Sequence, residues 1–146
     1  MKKIVKVIPM LLVIVLIFAL TTQGSAGSKA LSAFARDFLV WLCSKLGIDA
    51  DAEWWNTTEN VRVLAHVIEY FALGIATGIA LKKKRFALIV CACISFADQI
   101  TKIFIPTRHF DWADIPFDML GYCSGIAIAW VITLGVSALR ESKERV

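Results

Sequence analysis

The stretch from Asp98 to Gly125, DQITKIFIPTRHFDWADIPFDMLGYCSG, holds four of the chain's twelve carboxylates, one of its two histidines, an arginine and a lysine. A second set, Arg62, His66, Glu69 and Tyr70, precedes it in VRVLAHVIEY. Two kinds of chemistry suit these residue types. Proton transfer needs positioned carboxylates and imidazoles, so His66, Glu69 and Asp98 are the candidates for general acid and base. Anion binding needs fixed positive charge, which Arg62, Lys102 and Arg108 would offer to a phosphate or carboxylate. Tyr70, Asp114, Asp118 and Tyr122 complete the candidate binding set. Both sets lie in or between runs apolar enough to cross a bilayer, where an ionisable group is costly, faces the bundle interior and marks a functional site.

The elements that position these residues follow from hydropathy. The chain has 146 residues, is 58% hydrophobic and has a mean hydropathy of +0.70. A soluble domain is only roughly half apolar. Four runs of about 20 residues, the length that spans the hydrocarbon core at 1.5 Å per residue, fall at about 5–22, 61–81, 86–105 and 115–139. They predict an all-α membrane protein, one four-helix domain over 1–146 with no room for a separate soluble domain. Between the first two runs, Leu31, Phe34, Phe38, Trp41, Leu42 and Leu46 recur at helical spacing over 28–46, with Lys29, Arg36, Asp37 and Ser44 elsewhere on the wheel. That segment is too polar to span, so it predicts an amphipathic helix in the extracytoplasmic interface. Trp54 and Trp55 suit the headgroup level, and Asn56 and Glu59 have the spacing of a helix cap.

The net charge of +4 is unevenly placed. Ten basic residues, opposed only by Glu141 and Glu144, flank the same ends of the four runs; the other side holds six basic residues and ten acids. Positive residues gather in cytoplasmic loops, so both termini and the Lys82–Arg85 turn are expected inside, with Asp98–Gly125 facing out. Topology thus accounts for the lysines, and no nucleic-acid partner is expected. The first run has the form of a signal peptide, but an even count of runs and Pro9 in the first turns favour a retained helix. The cysteines, Cys43, Cys91, Cys93 and Cys123, read as packing residues. Cys91 and Cys93 point about 200° apart on a helix, and neither a metal nor a cofactor is expected.

Spacing also predicts which faces meet. Arg62, His66, Tyr70, Gly74 and Gly78 step by four and form one stripe. Gly74/Gly78 and Gly121/Gly125 are small-xxx-small pairs, read as a motive for a homodimer. Asp98 and Lys102 sit one turn apart, Pro106 stops the third helix, and Asp114 lies near the N-terminus of the fourth, where negative charge is favoured. Helical rise puts Glu69 roughly 12 Å and Asp98 roughly 10 Å from the outer ends of their helices, with Asp118 and Tyr122 bracketing that level. Three helices are therefore expected to bring polar groups to one depth around a cavity that opens outward.

RVLAHVIEYFALG and ADQITKIFIPTRHFDWADIPFDMLGYCSG resemble the two signature regions of the VanZ-like family, small bacterial membrane proteins named after a teicoplanin-resistance protein; FALTTQGSAGS is similar to the tail that follows the family's first helix. The chain departs from the pattern at Gln99, Thr101 and Lys102, where the family commonly has an acid, a His and a Gln, and at Val63, where a Lys is frequent. The resemblance implies a multi-pass protein of the bacterial cell membrane with a role in the envelope and in antibiotic resistance. The leading expectation is a cavity that binds an envelope lipid, a cell-wall precursor or a lipophilic antibiotic, with Phe38, Trp41, Trp54, Trp55 and Trp112 flanking an acyl chain. The alternatives are an intramembrane hydrolase or transferase on a lipid-linked substrate, using His66, Glu69 or Asp98, and a small proton-coupled transporter acting as a dimer.

Overall fold

A computed structural model describes residues 2–23, 25–47, 58–81 and 83–144. Five helices follow in order: α1 (Lys2–Thr22), α2 (Ser25–Lys45), α3 (Thr58–Ala80), α4 (Lys84–Ile103) and α5 (Asp114–Glu144). No strand occurs among the described residues. Four helices contain segments long and apolar enough to cross a membrane: Val5–Thr22, Asn60–Ala80, Lys84–Ile103 and Asp114–Ala138. The protein is therefore an all-α, multi-pass membrane protein. Trp54, Trp55 and Asn56 lie outside the described residues, and with them the expected interfacial anchors and helix cap.

α2 is not among the spanning helices and packs on α3. It ends where Gly47 adopts φ +69°, a left-handed conformation that glycine takes without Cβ strain. α4 ends at Ile103, two residues before the expected boundary. Phe104 and Ile105 instead donate their N–H groups three residues back, to Thr101 and Lys102, a tightened last turn ahead of Pro106.

The bundle is organised on a seam between α3 and α5. Contacts rise in step along both helices, from Arg62 against Asp114 through His66 against Asp118 to Gly78 against Ala129, so the two run parallel. Glycine sets how closely they approach. A Cβ on Gly74 would run into the Tyr122 backbone, and one on Gly125 into the Phe71 carbonyl and the Ile75 N–H. A Cβ on Gly121 would meet Val67 and Phe71, and one on Gly78 would crowd Ala129. The two glycine pairs, read from the sequence as a motive for a homodimer, are thus consumed against each other within one chain.

α4 runs antiparallel to this pair and α1 closes the far side, placing Ile17, Tyr70, Leu73, Cys91, Tyr122 and Ile126 in a small apolar core. Large apolar side chains such as Leu12, Val15, Ile89, Val131 and Ile132 point outward. In water so much exposed apolar surface would drive association; in a bilayer it is the surface that hydrocarbon covers.

Candidate functional site

α4 carries Ser95, Asp98, Gln99 and Lys102 at i, i+3, i+4 and i+7, so one face of an otherwise apolar helix is polar for two turns. All four are buried. That face meets Asp114 and Asp118 of α5, which are one turn apart, and Arg62 and His66 of α3, which are also one turn apart. Since lone carboxylates are expensive when buried, the fold brings Arg62, His66 and Lys102 to them.

Asp114 is the hub. Its Oδ2 accepts from Lys102 Nζ at 2.8 Å and from Gln99 Nε2 at 3.4 Å, and its Oδ1 lies 3.4 Å from Arg62 Nη2. His66 Nε2 stands 3.6 Å from the same carboxylate. Arg62 also reaches Asp111 at 3.2 Å, and Gln99 Oε1 accepts the Asp111 N–H at 3.3 Å, which ties the 104–113 connection down onto the cluster. Asp118, fully buried, pairs with His66 Nδ1 at 3.0 Å and accepts from Ser95 Oγ at 2.8 Å. Asp98 is held by Lys102 at 3.4 Å and by the hydroxyl of Thr21 on α1. Four helices therefore contribute to one network, whose groups bond directly to one another instead of lining an open hollow.

The opening lies beside the network. A cavity of about 80 Å³ between α1, α2 and α3 is lined by Thr21, Arg62, His66, Glu69 and Arg108, with Ser32 and Ala35 of α2 across from them. Arg108 donates to the Leu20 carbonyl at 3.3 Å, and no carboxylate among the described residues lies within ion-pair distance of it. On the opposite side, between α4 and α5, runs an apolar groove of about 530 Å³ lined by Ala92, Phe96, Ile100, Ile115 and Tyr122, with Ser95 at its floor. Phe96 on its wall stacks edge to face with Phe110, which stacks in turn with Trp112.

Of the ten expected binding residues, Arg62, His66, Asp98, Lys102, Asp114 and Asp118 meet in the network. Glu69 and Arg108 face the cavity and not the network's ion pairs. Tyr70 is fully buried, its ring nearly parallel to that of His66 and its hydroxyl beside Ser95 without a hydrogen bond of normal geometry. Tyr122 faces the apolar groove. The expected arrangement of aromatics around one acyl chain also divides: Phe38 and Trp41 pair with each other, exposed on α2, while Trp112 stacks on Phe110 in the α4–α5 connection.

Thr21, Ser95, Gln99 and Asp111 are functional-looking residues outside the expected set. The spacing of Ser95, Gln99 and Lys102 around Asp98 was a sufficient signal for two of them; nothing local marks Thr21, whose partner lies 77 residues away. Of the three candidate acid–base groups, His66 and Asp98 come together in the network, with ligand atoms within 4.8 Å of each other and of Asp118, and Glu69 stands apart in the cavity.

Against known proteins, the model of the VanZ/LLP1 family matches residues 6–133. No curated protein and no solved structure matches the chain.

Proposed function

This chain belongs to the VanZ/LLP1 family, and from that premise we propose that it is a bacterial cell-membrane protein that binds an anionic envelope amphiphile by its headgroup. The headgroup, that of a lipid, a cell-wall precursor or a lipophilic antibiotic of the teicoplanin kind, enters the cavity between α1, α2 and α3. One observation carries the reading: Arg108 lines this cavity with a guanidinium that no described carboxylate neutralises. Arg62, on the same wall, is already engaged by Asp111 and Asp114 and serves to orient. The asymmetry of charge along the sequence, with ten basic residues flanking the same ends of the four apolar runs, supports a cavity on the outer face, where envelope components and such drugs are met.

The hydrolase reading is weaker because, among the described residues, no hydroxyl or thiol meets an imidazole base. Ser95 bonds to Asp118, and His66 bonds to the other oxygen of that carboxylate, so the imidazole is not placed to take the serine proton.

Native mass spectrometry of the chain released from its own membranes tests the proposal. The wild type retains a phosphate- or carboxylate-bearing amphiphile, and Arg108→Ala loses it, a charge-assisted contact of about 1.5–3 kcal/mol being worth at least about tenfold in occupancy. Equal retention by both proteins would sink the reading.

A further inference from the structure

The buried network does not balance its own charge. Asp98, Asp111, Asp114 and Asp118 contribute four carboxylates; among the described residues Arg62 and Lys102 are the fixed cations paired with them, and with His66 neutral, as a metal ligand must be, a formal charge of two minus is left. Three of its members also converge. His66 on α3, Asp98 on α4 and Asp118 on α5 each present one ligand atom, all within 4.8 Å of one another. His66 Nδ1 and Asp118 Oδ1 are 3.0 Å apart. Two atoms that each lie about 2.1 Å from one metal ion, at a tetrahedral or octahedral angle, are separated by about 3.0–3.4 Å.

A separate observation points to a missing ligand. The hydroxyl of Tyr70, one helical turn from His66, is buried and makes no hydrogen bond of normal geometry, although Ser95, the donor to Asp118, lies beside it. Buried hydroxyls are ordinarily satisfied.

We propose that His66, Asp98 and Asp118 hold a divalent cation of the Mn²⁺ or Zn²⁺ class, with the Tyr70 hydroxyl completing the shell directly or through a bound water. Imidazole with hard carboxylate oxygens suits such ions, and two positive charges cancel the surplus. The outer shell is in place: Ser95 donates to Asp118 and Thr21 to Asp98, the kind of hydrogen bonds that orient ligating carboxylates. Lys102 keeps Asp114 as its closest partner at 2.8 Å. His66 also lines the cavity, which supplies the entry path. The cation site stands on these distances and not on the headgroup proposal.

The test uses the full chain in nanodiscs of neutral phosphatidylcholine, stripped by chelator and titrated with Mn²⁺ while electron paramagnetic resonance follows the free ion. One Mn²⁺ per chain is expected, with affinity at least about tenfold lower in Asp98→Asn, Asp118→Asn and His66→Gln, and unchanged in Asp37→Asn on α2. Pulsed measurements on the wild type should show coupling to one imidazole nitrogen, which needs no variant to fold. No uptake, no nitrogen coupling, or uptake equal in the Asp98 and Asp118 variants, which would mean an adventitious ion only, overturns the site. Retention of amphiphile in native mass spectra, lost in Arg108→Ala, is scored separately, so either proposal can fail alone.

Discussion

The two halves of the α3–α5 seam use the same pair of helices in the same register and are held by different forces. Toward the Ala80 end, Gly74, Gly78, Gly121 and Gly125 remove the side chains from the contact, so backbone lies on backbone and dispersion holds the pair. Toward the Asp114 end, Arg62 and His66 face Asp114 and Asp118, and ion pairs and hydrogen bonds hold it. Hydrocarbon provides no hydrophobic drive between helices, so each half needs its own source of attraction. The dry half tolerates nothing added; the charged half tolerates nothing removed.

The largest effect should come from removing a charge. Lys102→Met strips Asp114 of its closest cation and Asp98 of its only ion pair among the described residues, and should cost about 3–5 kcal/mol in reversible unfolding in detergent micelles. A loss below about 1 kcal/mol would mean the network is not a paired unit. Adding to the dry half comes next. Gly125→Leu cannot be seated without parting the helices at Phe71 and Ile75, and should cost about 1–3 kcal/mol or more by the same measurement. If it proved neutral, the seam would not be close-packed in this register.

Thr21→Val keeps the shape and removes one donor to Asp98, for about 1 kcal/mol, near the usual size of a polar contact between membrane helices. Crosslinking a cysteine at Thr21 to one on α4 would sharpen this result by showing whether α1 stays docked. At the small end, Arg36→Ala breaks an exposed pair with the neighbouring Asp37 on α2 and should change stability by less than about 0.5 kcal/mol. Such a variant sets the baseline for the other three.

Much of the site could be read from spacing, because a helix converts steps of three and four into a face. The stripe of Arg62, His66, Tyr70, Gly74 and Gly78 does face α5, and Asp98 and Lys102 do pair one turn apart. What spacing cannot give is which stripe meets which. Two glycine pairs are compatible with another copy of the chain or with each other, and only the crossing of α3 and α5 selected the second. Equal depth likewise did not separate network from cavity: Glu69 lies at the level of Asp98 along its helix but faces the space between α1, α2 and α3.

The sequence alone determined the spanning helices, their order and the side on which positive charge collects, since apolar length and lysine placement act locally through transfer to hydrocarbon. It also determined that carboxylates would be buried. Tertiary structure alone decided their partners, bringing Thr21 to Asp98 and Lys102 to Asp114 and leaving Arg108 in the cavity, because ion pairing depends on distances of a few ångströms between helices whose rotation about their axes no local pattern fixes.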